Sequence, residues 1–164
     1  MPVTSYIRKQ GTIAGIINVV INSLITWLGH RRTGFVPLGG IVVDVAVTSI
    51  LLSLLVSLFA SAGVRHDLEA GRVRATGEPP KAGRALSRLP ARWWALGLLI
   101  GLGVAVTAAV VLRLLGALGL SGLSLAGFVA FMAVYTGLLG YAVTRWVILR
   151  QLAERRACTA ATGG

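Results

Sequence analysis

Four long apolar stretches constrain this chain more than any other feature of its sequence. They cover residues 11–28, 39–62, 93–112 and 123–144, and each is long enough to cross a hydrocarbon core of roughly 30 Å as a helix. Composition agrees, because 55% of the 164 residues are hydrophobic, only 13% are charged, and the mean hydropathy is +0.81. The predicted fold class is therefore an all-α integral membrane protein with four transmembrane helices, forming a single membrane domain over residues 1–164.

The first stretch has a competing interpretation as a cleaved signal peptide, because Arg8 and Lys9 precede an apolar run. That run is longer than the apolar part of an ordinary signal peptide. It ends at Trp27 and Leu28, followed by Arg31 and Arg32, without a small-residue cleavage pattern. We therefore predict a retained first helix.

Basic residues predict the orientation of the helices. Thirteen of the 16 lysines and arginines lie before the first stretch, between the second and third, or after the fourth, and only Arg31, Arg32 and Arg113 lie on the alternate side. By the positive-inside rule, both termini and the loop over residues 63–92 are cytoplasmic. The helices then form two hairpins that leave from and return to the cytoplasm. In a bacterium the location would be the cytoplasmic membrane.

Nearly all intramembrane polarity lies in the first hairpin. Asp44 is the only acid inside any of the four stretches, and Thr48 follows it by one helical turn. Asn18 and Asn22 are one turn apart on the first helix. A short connection predicts that the first two helices are antiparallel neighbours. Because Asn22 and Asp44 have similar predicted depths, we expect them to be in contact.

Two interpretations of these side chains stay open. In the first, Asn18, Asn22, Asp44 and Thr48 form a ligand-binding pocket in which Asp44 holds a cation or a proton. In the second, they form hydrogen bonds that hold the helices together, and Asp44 is neutralised by a basic side chain of the adjoining connection. The candidates for that role are His30, Arg31 and Arg32.

Small residues predict how the helices pack, since they permit close backbone approach in lipid. The second helix carries a serine row that predicts a packing seam: Ser49, Ser53, Ser57 and Ser61. The third and fourth helices carry further small-residue rows: Gly97, Gly101 and Ala105, and Ala133, Gly137 and Gly140. We expect the third and fourth helices to form the tight core, and the rows either to include a homo-oligomer seam or to be satisfied within one monomer.

A weaker pattern relates the hairpins to each other. Glycines at positions 11 and 15 open the first helix, and glycines at positions 97 and 101 lie early in the third. The pattern predicts a parallel repeat if it is real. Chance spacing is the alternative, because small residues are common in membrane helices.

The loop over residues 63–92 is the largest polar segment. Its first residues, 64–70, predict an extension of the second helix that is capped at Gly71. Its basic side chains are compatible with docking to anionic lipid headgroups, or with orientation of the helices alone.

No motif predicts catalysis. The two histidines, His30 and His66, lie outside the four stretches, and Cys158 is the only cysteine. The sequence has no phosphate-binding loop and no metalloprotease motif, and the basic residues are not clustered as in nucleic-acid-binding proteins. We therefore expect no enzyme, cofactor, metal or nucleic acid. The predicted function is a permease or an ion- or solute-conducting protein. The alternative is a non-catalytic accessory or scaffold subunit of a membrane complex, possible partners being a second copy or another membrane protein, and a lipid-modifying enzyme is a distant third.

Overall fold

A computed structural model describes residues 3–70 and 92–162 of the chain. In chain order the elements are α1 (Val3–His30), β1 (Phe35–Pro37), α2 (Leu38–Glu69), α3 (Trp93–Ala117), β2 (Gly122–Ser124) and α4 (Leu125–Thr162). Each of these four helices is long and apolar enough to cross a membrane. The protein is thus a multi-pass integral membrane protein, which confirms the predicted fold class. The two short strands are an addition to it.

The helices are longer than the apolar stretches that predict them. α2 has 32 residues and α4 has 38, and both continue past the apolar stretch. Hydropathy marks where a helix leaves the hydrocarbon, whereas the backbone remains helical until a residue breaks it. No proline interrupts these helices. Residues 71–91 lie outside the described residues, and so do the cap predicted at Gly71 and most of the segment predicted to dock lipid headgroups.

The helix pairing differs from the predicted one. α1 packs along α4, α3 packs along α2, and contact between α2 and α4 joins these two pairs. α3 meets α4 over only a short stretch, and α1 hardly touches α2. The prediction that the third and fourth helices form the tight core is therefore wrong, and so is the prediction that the first two helices pack as neighbours.

The small-residue row of α3 explains its choice of partner. A Cβ atom added at Gly101 would lie 3.0 Å from the Ser49 carbonyl oxygen and 3.0 Å from the Ile50 Cα atom of α2. Gly97 approaches Ser53 and Ser57 as closely, and Ala105 is buried. All four members of the serine row are buried, which confirms the predicted seam. Small residues on α3 therefore fit the serine row of α2 rather than α4.

The row on α4 packs against α1 in the same way. A Cβ atom added at Gly15 would lie 3.1 Å from the carbonyl oxygen of Gly137, and one added at Gly140 would lie 2.6 Å from the amide nitrogen of Asn18. Ala133 is half-buried on the same helix. Both rows are thus used inside one monomer.

Two short strands join the hairpins at one end of the bundle, which we call the strand end; the opposite end is the terminal end. β1 and β2 pair antiparallel, with Val36 opposite Leu123 at the centre of the register. The Leu38 amide donates to the Ser121 carbonyl oxygen, and the Leu125 amide donates to that of Gly34. The first residue of each helix after a strand is therefore anchored by the other hairpin.

These contacts have approximate two-fold symmetry about the Val36–Leu123 pair. The sequence offset between these two residues also relates several identical residues of α2 and α4, among them Leu38 and Leu125, Gly40 and Gly127, Ala46 and Ala133, and Leu51 and Leu138. α1 and α3 both end at the strand end. The arrangement is that of a parallel repeat, in which the two hairpins run in the same direction.

Candidate functional site

A groove of about 630 Å³ lies between α1 and α2, with α4 behind it. It exists because α1 and α2 both pack on α4 and hardly touch each other. Its walls are two apolar rows at four-residue spacing: Ile13, Ile17, Ile21 and Ile25 on α1, and Val47, Leu51, Leu55 and Phe59 on α2. Several of these side chains are about half exposed, so the groove is open toward the surrounding lipid. Its volume is within the range of small-molecule pockets.

Polar groups interrupt these apolar walls. Of the four residues predicted to bind a ligand, Asn18, Asn22 and Thr48 line the groove. Asp44 does not line it and lies one turn beyond Thr48, toward the strand end. Gln10 lines the part of the groove nearest the terminal end.

The two asparagines are bonded mainly to their own helix. The side-chain amide of Asn18 donates to the Ala14 carbonyl oxygen at 2.8 Å, and that of Asn22 donates to the Asn18 carbonyl oxygen at 3.0 Å. The hydroxyl of Thr136 on α4 donates to the Met132 carbonyl oxygen of its own helix at 2.7 Å and lies 3.4 Å from the Asn18 carbonyl oxygen. The predicted contact between Asn22 and Asp44 is wrong, because the groove separates the helices and each side chain has another partner.

The partner of Asp44 is His30. Its Nε2 atom lies 3.3 Å from Oδ2 of Asp44, and the two side chains are 27% and 39% exposed, respectively. The other ring nitrogen, Nδ1, lies 3.2 Å from the carbonyl oxygen of Thr26, and the ring meets the Phe128 ring edge-on at 5.2 Å. The contact joins the end of α1 to the beginning of α2 beside the strand end of the groove.

A second polar contact joins the same two helices at the terminal end. The hydroxyl of Tyr6 on α1 donates to Oδ2 of Asp67 on α2 at 2.7 Å. Tyr6 is buried there with Ile7, Val64, Ile148 and Leu152. The groove therefore lies between two links, each made by an aspartate of α2 and a side chain of α1.

One row on α1 contains the groove-lining amides and both links. Every fourth residue belongs to it: Tyr6, Gln10, Ala14, Asn18, Asn22, Thr26 and His30. A row of this spacing winds slowly around a helix of 3.6 residues per turn, which lets it face α4 in places and α2 in others. The sequence prediction missed Tyr6 and Gln10 and gave His30 only a neutralising role. Continuing the spacing of Asn18 and Asn22 in both directions would have found all three.

Thr144 of α4 was also missed by the sequence prediction. It lines the groove, is 3% exposed, and its hydroxyl makes no hydrogen bond within the described part of the chain. A buried hydroxyl without a partner is energetically unfavourable, so it is a candidate contact for a polar group in the groove. A lone threonine in an apolar helix carries no spacing signal that would single it out.

Across residues 3–70 and 92–162, the acidic, histidine and cysteine side chains do not form a group of three or more that could hold a metal ion. In comparisons with protein families, with curated proteins and with solved structures, nothing matches this chain.

Proposed function

We propose that the protein is a small, non-catalytic membrane permease that binds an amphipathic solute in the groove between α1 and α2. The observation that carries the proposal is that four polar side chains of the membrane-spanning helices line one groove. Asn18, Asn22, Thr48 and Thr144 all line it. Polar groups are unfavourable in lipid and are usually retained there for a purpose.

The chemistry of the lining determines the class of solute. Apolar rows on both walls favour an apolar body, because contact with it removes hydrocarbon surface from the groove. The amides and the free Thr144 hydroxyl favour a molecule that also carries hydrogen-bonding groups. These polar groups extend from Gln10 to Asn22, which corresponds to about 18 Å along α1. A solute entering from the bilayer would therefore find polar contacts over much of the membrane depth.

The second candidate function is that of an accessory subunit. The groove is open along its length and walled by apolar rows at helical spacing, so a partner helix would also fit the position between α1 and α2. In this alternative the groove is an assembly surface. It then binds a protein and transports nothing.

Binding is tested by thermal unfolding of the protein in lipid nanodiscs against a panel of amphipathic solutes. A solute that binds only the folded state raises the unfolding midpoint in proportion to its occupancy. We expect Ile17→Trp, which places a bulky ring in the groove, to abolish the rise. Leu102→Trp is the matched control, since Leu102 on α3 is exposed to a similar extent and lies outside the groove.

A rise that is lost in Ile17→Trp and retained in Leu102→Trp would support the site, and flux into proteoliposomes would then test transport. The proposal fails if no solute shifts the midpoint, or if the shift survives Ile17→Trp. Recovery of a defined membrane partner by wild type but not by Ile17→Trp, without any solute effect, would favour the accessory subunit.

A further inference from the structure

We infer that His30 and Asp44 form a proton-binding site that holds the strand end of the groove closed. We call this contact the latch. The inference deepens the proposed function by adding a way to open the groove, and it rests on that function for the groove's role in binding. The latch itself is a property of α1 and α2 and is measured without any solute.

The argument begins with the partners of the two ring nitrogens of His30. Nδ1 faces the carbonyl oxygen of Thr26 at 3.2 Å, and a carbonyl oxygen can only accept a hydrogen bond. Nδ1 must therefore carry a proton. Nε2 faces Oδ2 of Asp44 at 3.3 Å. Without a proton between them, the lone pair of Nε2 would face the negative oxygen.

The contact between Nε2 and Asp44 therefore requires a second proton. It is located either on Nε2, which makes the pair an imidazolium and a carboxylate, or on Asp44, which makes both groups neutral. In both forms the two side chains attract each other, and the forms differ only in which atom holds the proton. Removing that proton leaves a neutral ring against a carboxylate, which is repulsive at this distance. The pair thus binds one proton when closed and releases it on opening.

At the strand end, the His30–Asp44 pair is the contact between α1 and α2 that depends on a proton. Arg31 and Arg32 follow His30 in the connection to β1, and Arg113 lies near the end of α3. α4 presents the Phe128 ring to His30, and the Tyr135 hydroxyl of α4 is hydrogen-bonded to Ser49. β1 and β2 contain no charged side chain.

Apart from the connecting residues 31–37, little else joins α1 to α2 at the strand end. The two helices hardly touch, and α1 is held mainly by α4. At the terminal end, the Tyr6 hydroxyl donates to Asp67 and needs no added proton to do so. Loss of the proton would therefore release the strand end of the groove and leave the terminal end joined.

The proton is observed directly by nitrogen NMR of histidine labelled with ¹⁵N. His66 is the only other histidine, so His66→Gln leaves the signals of His30 alone. Imidazole nitrogen shifts distinguish the charged ring from each neutral tautomer. We expect Nδ1 to remain protonated and the Nε2 signal to change as the pH rises. In Asp44→Asn the Nε2 response should differ, because no acid then shares the proton. A neutral ring with its proton on Nε2 and none on Nδ1, or an Nε2 response identical in Asp44→Asn, would overturn the inference.

The latch is tested by distances between spin labels in nanodiscs without solute. Labels at Leu28→Cys and Val43→Cys, in a Cys158→Ser background, report on the strand end; both side chains are exposed. We expect a short, narrow distance at low pH that lengthens and broadens as pH rises. Labels at Thr12→Cys and Gly63→Cys, near the terminal end, are the control and should not respond.

Two variants distinguish the effect of the proton from the effect of the contact itself. Asp44→Asn can donate its amide to the Nε2 lone pair, so the strand end should remain closed at every pH. Asp44→Ala removes the link and should leave it open at every pH. A strand-end distance that does not change with pH in wild type, or that changes equally in both variants, would overturn the latch. Because no solute is used, that result would leave the proposed binding function intact, and failure of solute binding would leave the latch intact.

Discussion

The hydroxyl of Tyr135 on α4 lies 2.6 Å from Oγ of Ser49 on α2, and this hydrogen bond crosses between the two hairpins. Ser49 is fully buried, and its hydroxyl also donates to the Val45 carbonyl oxygen of its own helix. A hydroxyl has a single proton to donate, so Tyr135 must be the donor in the pair with Ser49. Because Tyr135 donates and Ser49 accepts, losing one residue does not have the same effect as losing the other.

The two single substitutions should therefore reduce the free energy of unfolding by different amounts. Tyr135→Phe deletes the donor and leaves Ser49 bonded to its own helix, so we expect a loss of about 1 kcal/mol. Ser49→Ala leaves the partly buried tyrosine hydroxyl without its acceptor, so the loss should be larger, about 1–3 kcal/mol. Unfolding equilibria in detergent measure both changes, and Tyr141→Phe is the control because Tyr141 makes no side-chain hydrogen bond in the part of the chain described. Equal losses in the two variants would contradict the assigned direction.

The close approach of α3 to α2 predicts a severe effect of Gly101→Leu. The new side chain would meet the backbone at Ser49 and Ile50, and overpacking of this kind costs about 1–3 kcal/mol or more. Gly103→Leu is the matched control, because nothing lies within 4 Å of a Cβ atom there. Thermal unfolding compares the two variants. If both variants unfold at the wild-type temperature, the α2–α3 seam is not tightly packed.

The pairing of β1 with β2 predicts an efficient disulfide between the hairpins. Phe35 and Ser124 are direct partners in the register, and directly opposed residues in antiparallel strands have the Cα spacing that a disulfide needs. Phe35→Cys with Ser124→Cys, in a Cys158→Ser background, should form the bond on mild oxidation. Mass spectrometry of the tryptic peptides detects it. The pair Phe35→Cys with Leu118→Cys lies out of register and should react slowly; comparable yields would argue against the strand pairing.

The orientation of the bundle in the membrane is a prediction from its basic residues, and cysteine labelling checks it. Cys158 should react with a membrane-impermeant maleimide only after the cells are permeabilised. Gly34→Cys in a Cys158→Ser background should react in intact cells, because Gly34 is exposed at the strand end and that end is predicted to face outward. The opposite pattern would reverse the topology.

Much of the fold could be predicted from single segments of sequence. Hydropathy located the four helices, and the spacing of Ser49, Ser53, Ser57 and Ser61 indicated a packing seam that the structure confirms. Helix ends were less accessible, because charged residues at the end of a helix are compatible both with a loop and with a helix that continues into water. The extension of α2 over residues 64–70 was nevertheless predicted and is confirmed by its end at Glu69, whereas α4 runs on to Thr162, beyond the predicted span.

Only part of the candidate site could be predicted from the sequence. Asn18, Asn22 and Thr48 are unusual in apolar helices, so their residue types identified them, and all three line the groove. Predicting Asn22 as the partner of Asp44 failed because that argument used depth in the membrane and assumed that α1 and α2 touch. His30 pairs with Asp44 instead, across a gap that the helix arrangement creates.

By itself, the sequence determined that the chain crosses the membrane with four helices and places most of its intramembrane polarity in the first hairpin, because these are properties of each segment in its solvent. Only the tertiary structure decided which helices are neighbours. That choice depends on whether a small-residue row meets a complementary surface, as Gly101 does at Ser49 and Gly15 does at Gly137. By pairing α1 with α4 and α3 with α2, these fits separate α1 from α2 and open the groove between them.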